Sequence, residues 1–367
     1  MLIPLNKGSE SVVSAMAEDS ARAWQRPSIY DVAKHAGVSH MTVSRVLNDS
    51  PNIRQSTRER VLRAIEEMNY TPSSIARALA TRRTMRIGVI VDSPVQYGPN
   101  STLRAIEAAA RAEGYAIASF SISDDENLPT DTGVVELISL GVDALCVIAP
   151  RASSMLAIRE QRAGLPTLVV KVDQESSMHT VAVDQYAGAV LAVSHLAELG
   201  HRNIAHLAGP LDWFDAQARE QGWREELERR GLPVRPALPG DWNSDCGYDI
   251  GRHYDLTDTT AVFAANDQMA LGLIHGLAER GLSVPGDISV VGFDDVPDAA
   301  HFLPPLTTVR QDFAALGTLA VRSIIAAIND EDWALHDMIE PVLVVRESTG
   351  QASSHSRRTR RGRSQSR

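Results

Sequence analysis

The residues best suited to chemistry in this 367-residue chain are polar side chains that directly follow short apolar runs. Asn266 and Asp267 follow the run 261–265, and Asp294 and Asp295 follow 290–293. Arg219 stands in a helical stretch after Gly209-Pro210, and Trp242 closes Gly240-Asp241-Trp242. Carboxylates, an amide and a guanidinium around one pocket can hold adjacent hydroxyls from both the donor and the acceptor side. An indole or phenyl face can cover the C–H face of a sugar ring. Together these residues suit a neutral, polyhydroxylated ligand. Asp267 has a plainer reading, because an acid just after a strand commonly caps the next helix. Group-transfer chemistry finds no support: there is no Walker phosphate loop, no zinc-type Cys/His spacing and no Gly-x-Ser-x-Gly elbow. His195, His201 and His206 read as surface or packing residues rather than metal ligands.

These residues must be carried by alternating elements. Apolar runs at 87–91, 115–122, 144–148, 167–172, 204–208, 261–264 and 289–293 read as strands, with helical periodicity between most of them. Strand–helix alternation gives parallel sheets covered on both faces. About a dozen strands would crowd one small sheet, so two α/β lobes are expected. A helix over 313–329 and a strand over 341–345 are expected to return to the first lobe. In such sheets ligands bind beyond the carboxyl ends of strands, where Asn266 and Asp294 fall.

The N-terminal part follows a different pattern. Ser28 with Asp31 reads as a helix start, and Ile29, Val32, Ala33 and Ala36 share a helical face. Gly37-Val38 makes a turn, and Ser39 caps a second helix to Leu47 whose inner face is Val43, Val46 and Leu47. His40, Met41, Ser44 and Arg45 lie on its other side. A third helix is expected from Ser56, boxed with Glu59, with Val61, Leu62, Ile65 and Met68 inward. Two short helices, a small-residue turn and a third helix behind them make a helix-turn-helix.

Charge separates the same regions. The chain has 36 Lys+Arg and 46 Asp+Glu, a net charge of −10, yet residues 26–86 carry +6 and 351–367 carry another +6. The first 25 residues carry −1, which leaves −21 for 87–350. A basic module on an acidic body points to a polyanionic partner for the module. Two cysteines are too few for a disulfide framework. No run of about 18 apolar residues marks a membrane span, and residues 1–25 lack the apolar stretch of a secretory signal. A soluble protein of the cytoplasm is expected.

Ile29-Tyr30-Asp31-Val32-Ala33, Ala36-Gly37-Val38-Ser39 and Thr42-Val43-Ser44-Arg45-Val46-Leu47-Asn48, with Asn69-Tyr70-Thr71-Pro72 downstream, resemble the DNA-binding head of the lactose/galactose repressor family. The resemblance implies that the second helix, opened by Ser39, enters the major groove with His40 and Met41 as variable readers. Arg45 would then donate two hydrogen bonds to a guanine, and Met41 would touch a thymine methyl. Tyr30, Thr42 and Ser44 would position the backbone through phosphates. Residues 73–84 correspond to a hinge helix and linker, with Leu79 as the wedge that kinks the duplex. A hinge this short is unstable alone and should order when two copies meet on DNA.

The resemblance runs over residues 27–350, through Leu199-Gly200-His201, Ala208-Gly209-Pro210, Ala265-Asn266-Asp267-Gln268-Met269-Ala270 and Pro304-Pro305-Leu306-Thr307-Thr308-Val309. It implies a small all-α helix-turn-helix head at 27–72 and an α/β core of two lobes with parallel sheets at 85–350, similar to periplasmic binding proteins. Lobe 1 would comprise about 85–183 and 311–343, and lobe 2 about 184–310 and 344–350. By the same resemblance Arg219, Asn266 and Asp294 match the hydroxyl-binding trio, Trp242 and Phe313 the aromatic walls, and Gln311 is an addition. Lys171 departs from the pattern, as a contact to an anionic sugar or as a bridge to Asp173 or Asp215. The arginine-rich tail 351–367 lacks a leucine heptad, so a homodimer is expected, with the tail and residues 1–26 unstructured.

The resulting expectation is a homodimeric repressor of carbohydrate-utilisation genes, not an enzyme, with no cofactor and no metal. It would bind a near-palindromic double-stranded DNA operator and be released by a galactoside-like or other glycoside effector. The alternatives are the same dimer responding to a non-sugar effector or a phosphoprotein partner, and a cytoplasmic sugar-binding protein with a vestigial head.

Overall fold

The computed structural model describes residues 27–47, 50–70, 83–122, 130–148, 151, 164–170 and 178–352. The chain divides into two compact units, 1–84 and 85–367. The expected hinge helix with Leu79, residues 1–26, Lys171 and the tail beyond 352 lie outside the described residues.

In the first unit α1 (Ile29–Ala36) begins with a capping box. Ser28 Oγ accepts from the Asp31 backbone N–H, and the Asp31 carboxylate accepts from the Ser28 backbone N–H at 2.8 Å. Hydrogen bonds from Ser28 hold the Asp31 carboxyl below its ordinary range. Gly37 ends the helix at φ 64°, a left-handed conformation that costs glycine nothing. Ser39 Oγ then accepts from Thr42 N at the start of α2 (His40–Leu47). Val32, Ala33, Ala36, Val43, Val46, Val61, Ala64 and Tyr70 form the buried core.

Two details of α3 (Gln55–Glu67) differ from expectation. It starts one residue early, with no side-chain cap, so Ser56 lies inside the helix and Glu59 bonds Gln55 Nε2 instead. Leu62 is half exposed, and the inward position falls to Ala64.

The second unit contains two sheets. The first has order β10-β5-β4-β3-β1-β2 from β1 (Arg86–Asp92), β2 (Ala116–Ile122), β3 (Ala144–Ile148), β4 (Thr167–Val170), β5 (His179–Val183) and β10 (His336–Ile339), with every pairing parallel. The second has order β11-β9-β8-β7-β6 from β6 (Ile204–Leu207), β7 (Ala261–Ala264), β8 (Ser289–Asp294), β9 (Thr307–Arg310) and β11 (Val342–Val344). The central strands β3, β7 and β8 are buried throughout and nearly all apolar, as parallel strands covered on both faces must be.

Helices α4 (Tyr97–Ala112) and α10 (Phe313–Ile328) pack together beside the first sheet, and α5 (Thr130–Ser139) lies against β1 and β2. Around the second sheet lie α6 (Gln185–Glu198), α7 (Phe214–Arg229), α8 (Ser244–His253) and α9 (Asp267–Glu279). The backbone passes from one sheet to the other three times: between β5 and α6, between β9 and α10, and between β10 and β11.

The last crossing corrects the expectation for 341–345. The helix α10 does return to the first lobe, but β11 pairs antiparallel with β9 in the second. The strand that returns is β10, parallel to β5. Pro341, which lacks an N–H, separates the two strands, so the lobe boundary lies there rather than at 343.

Candidate functional site

In the head, the side chains singled out from α1 and α2 stand on the outside of the buried core. Tyr30 is 65% exposed and Met41 57%. His40 and Arg45 are exposed, while Thr42 and Ser44 are half-buried. The Tyr30 ring lies 5.0 Å from the His40 imidazole, so residues ten positions apart meet on one surface. Ser39 Oγ and Thr42 Oγ1 are 3.0 Å apart at the start of α2. Among the described residues no hydrogen bond or ion pair engages the exposed Arg45 side chain.

The core presents the opposite arrangement. Arg219 projects from α7 and is 3% exposed. Its guanidinium lies over the Phe293 ring at 3.8 Å and 5.5 Å from the centre of the Trp242 ring. Nε donates to Gln185 Oε1 at 2.9 Å, and Nη1 donates to the Ala265 carbonyl. Nη2 is left between two carboxylates, 3.8 Å from Asp294 Oδ1 and 4.0 Å from Asp215 Oδ2. Both gaps exceed a direct hydrogen bond.

Asp294 ends β8 with φ 108°, and Asp295 follows at φ 53°. Two consecutive non-glycine residues at positive φ are costly and turn the carboxylate out of the sheet. Asp295 is held by Arg310 and Arg346, each at 2.6 Å, which fixes this turn. Asp294 Oδ1 accepts from Gln311 Nε2 at 2.7 Å. Burial raises its carboxyl to about 6, against the pull of Arg219 and Gln311. Burial likewise raises Asp215, opposed by Arg219.

Asn266 caps α9: Oδ1 accepts from Met269 N and Nδ2 donates to the Trp242 carbonyl, both at 2.9 Å. One lone pair and one N–H remain on the amide. The cap expected at Asp267 is therefore Asn266. Asp267 is fully buried instead, accepting from Val296 N at 2.8 Å and Thr308 Oγ1 at 2.6 Å. Trp242 takes φ 73° and packs its ring against Gly209, where any Cβ would collide with the indole. Its Nε1 is buried without a hydrogen-bond partner.

Arg219, Trp242, Asn266 and Asp294 thus border one opening of about 340 Å³, together with Tyr97, Trp213 and Asp215. Gln311 and Phe313 border an adjoining opening of about 480 Å³, which shares Gly98, Pro99, Trp213 and Asp215. Tyr97 meets Phe313 edge to face at 5.9 Å. Nothing in the sequence pattern marks Tyr97, Trp213 or Gln185, which also border these openings. The sequence offers Asp215 as a partner for Lys171, and the structure places it four positions before Arg219 on the same helix.

The three histidines are packing residues. His195 bonds Thr349, and His201 bonds Thr260, Ser289 and the Gly350 carbonyl. His206 is fully buried against Phe263, and burial depresses its imidazole to about 4. No group of three or more metal-ligating side chains occurs among the described residues. No helix among them is long and apolar enough to cross a membrane.

Residues 28–73 match the description "Bacterial regulatory proteins, lacI family", and 193–349 match "Periplasmic binding protein-like domain". The lactose operon repressor of Escherichia coli (strain K12) is 33% identical over 324 residues, covering 88% of this chain and 90% of that protein. The chain belongs to the lacI family. The transcriptional repressor PurR of Pasteurella multocida (strain Pm70) is 34% identical, over 87% of this chain and 98% of its own. The Lac repressor dimer bound to operator and the anti-inducer ONPF superposes with a TM-score of 0.80 at 32% identity, covering 89% and 100%. A CelR–cellobiose complex superposes at 0.66 with 30% identity, covering 88% and 100%. As a lacI-family member the protein is a DNA-binding transcriptional repressor governed by a small-molecule effector, and not an enzyme. Repressors of this family bind operator DNA and form dimers.

Proposed function

We propose that this repressor controls carbohydrate-utilisation genes and leaves a near-palindromic operator when a glycoside, galactoside-like in its hydroxyl pattern, occupies the core cleft. Arg219, Asn266 and Asp294 bind the sugar hydroxyls with Gln311 behind them, and Trp242 and Phe313 cover its apolar faces. The observation that carries this reading is the placement of Arg219 Nη2. It stands 3.8 and 4.0 Å from two carboxylates, with an indole alongside. Donors and acceptors separated by slightly more than a hydrogen bond suit vicinal hydroxyls, each of which donates to a carboxylate and accepts from the guanidinium.

The same carboxylates disfavour a phosphate at this point, which weighs against a phosphorylated effector. The CelR–cellobiose neighbour and the lactose operon repressor relative support a saccharide. In the head, His40 and Met41 read base edges, Arg45 contacts a guanine, and Tyr30, Ser39, Thr42 and Ser44 hold phosphates. Leu79 is the minor-groove wedge, and the functional state is a homodimer carrying two heads.

The mechanism is linkage: a ligand that prefers one lobe arrangement disfavours the arrangement that holds the operator. Calorimetry with a panel of methyl glycosides and disaccharides tests the cleft. Binding of at least one member, lost in Arg219→Ala and Asp294→Ala, is expected. Undiminished binding in both variants would remove the assignment.

A further inference from the structure

Gln185 is the first residue of α6, directly after the crossing from β5, and Gln311 lies in the crossing from β9 to α10. Both side chains are buried, at 2% and 7% exposure. They form one continuous chain of hydrogen bonds. Arg219 Nε donates to Gln185 Oε1 at 2.9 Å, Gln185 Nε2 donates to Gln311 Oε1 at 2.8 Å, and Gln311 Nε2 donates to Asp294 Oδ1 at 2.7 Å. The preceding residue, Asp184, caps α6 through Ala187 N. Its backbone N–H donates to the Ile339 carbonyl at 2.9 Å, which joins the first crossing to the third.

The polarity of this chain is fixed from both ends. An arginine can only donate and an ionised carboxylate can only accept, so each amide between them is satisfied in a single orientation. Moving either end leaves a buried amide group unpaired unless the next link follows. From this geometry we infer that Gln185 is a positioning residue of the effector site, transmitting the set of Arg219 and Asp294 to the lobe crossings. The inference rests on the reading of the cleft as the effector site and adds the residue that couples it to the rest of the core. Nothing in the amino-acid pattern marks Gln185, because a glutamine opening a helix is an ordinary surface choice.

The test separates effector binding from its consequence. Full-length protein, Gln185→Leu and Gln185→Glu are compared by calorimetry with methyl β-galactoside and lactose as probes. Labelled operator is then titrated with and without saturating probe. Gln185→Glu keeps the size and still accepts from Arg219, but turns Gln311 the wrong way toward Asp294, so it stays informative if Gln185→Leu folds poorly. The parent's operator affinity should fall at least tenfold with probe. In both variants the saturated ratio should collapse to below threefold, while probe binding weakens only severalfold and remains measurable. Folding is checked by thermal melting. A role in packing alone would lower the melting temperature and leave the saturated ratio intact, and that result would overturn the inference. A parent protein that binds neither probe, nor any other glycoside in the panel, would instead sink the cleft reading itself, and the coupling role with it.

Discussion

The head and the cleft use polar side chains in opposite ways. On the head, Tyr30, His40, Met41 and Arg45 are exposed above a core of eight small or apolar residues. In the cleft, Arg219, Asn266, Asp294 and Gln311 are all at least 93% buried, and each already holds a protein partner. A surface that reads DNA gains by presenting unpaired groups that a polyanion desolvates, and positive charge brings the partner in. A small neutral ligand brings no such attraction, so its site must be organised before binding and must leave only the last valences open. The two regions should therefore fail differently when altered.

The largest effect is expected in the cleft. Arg219→Ala removes the charge between Asp215 and Asp294 along with two anchoring hydrogen bonds, leaving neither carboxylate an ion pair among the described residues. At about 1.5–3 kcal/mol for each of the two hydroxyl hydrogen bonds that the guanidinium would donate to the effector, affinity should fall by more than a hundredfold in calorimetry. In the head, Arg45→Ala removes a single exposed side chain and should cost about 1–3 kcal/mol of operator affinity in a band-shift titration. An Arg45→Ala variant that binds the operator as the parent does would place the groove-reading face elsewhere.

Protonation sharpens the contrast. Burial raises the Asp294 carboxyl to about 6, and protonation removes both one acceptor oxygen and the charge that strengthens a hydrogen bond from a hydroxyl. Between pH 7 and pH 5 the ionised fraction falls roughly tenfold, and the effector Kd should rise by about the same factor. Stability moves the other way: the folded carboxyl is raised above its unfolded value of 3.8, so the fold binds the extra proton. This group therefore adds stability as pH falls from about 6 toward 4. An Asp294→Asn variant should show a flat profile in that window, whatever its absolute affinity.

The smallest effects are confined to the scaffold of the head. Gly37→Ala forces a Cβ onto φ 64°, and Ser28→Ala removes the capping box of α1. Each should cost about 1 kcal/mol in thermal denaturation. Neither should alter effector affinity, because the proposed cleft lies in a compact unit of its own, separate from the head.

Much of this arrangement was legible in the chain because chemistry and topology coincide. Asn266 follows β7 and Asp294 closes β8, and parallel sheets place such residues at a common edge. The helix-turn-helix was legible because Ser28, Gly37 and Ser39 punctuate its first two helices at their ends. What stayed hidden depended on three-dimensional approach. Gln185 occupies a helix position where any polar residue is acceptable, and only the meeting of α6, α7 and the β9–α10 crossing gives it its partners Arg219 and Gln311. The strand β10 reads His-Asp-Met-Ile, with no β-branched alternation, and it forms because β5 offers an unpaired edge. Leu62 fits an inward stripe by spacing, yet the helix turns the face of Val61 and Ala64 inward and leaves Leu62 half exposed.

The most direct test is selection of random duplex DNA by the full-length protein, followed by elution of the bound pool with a graded series of glycosides. Two inverted half-sites should be enriched, and at least one glycoside should release the complex at a concentration matching its calorimetric Kd. Retention of a single unpaired motif, or a complex unmoved by any glycoside that the cleft binds, would contradict the coupling of sugar occupancy to operator release.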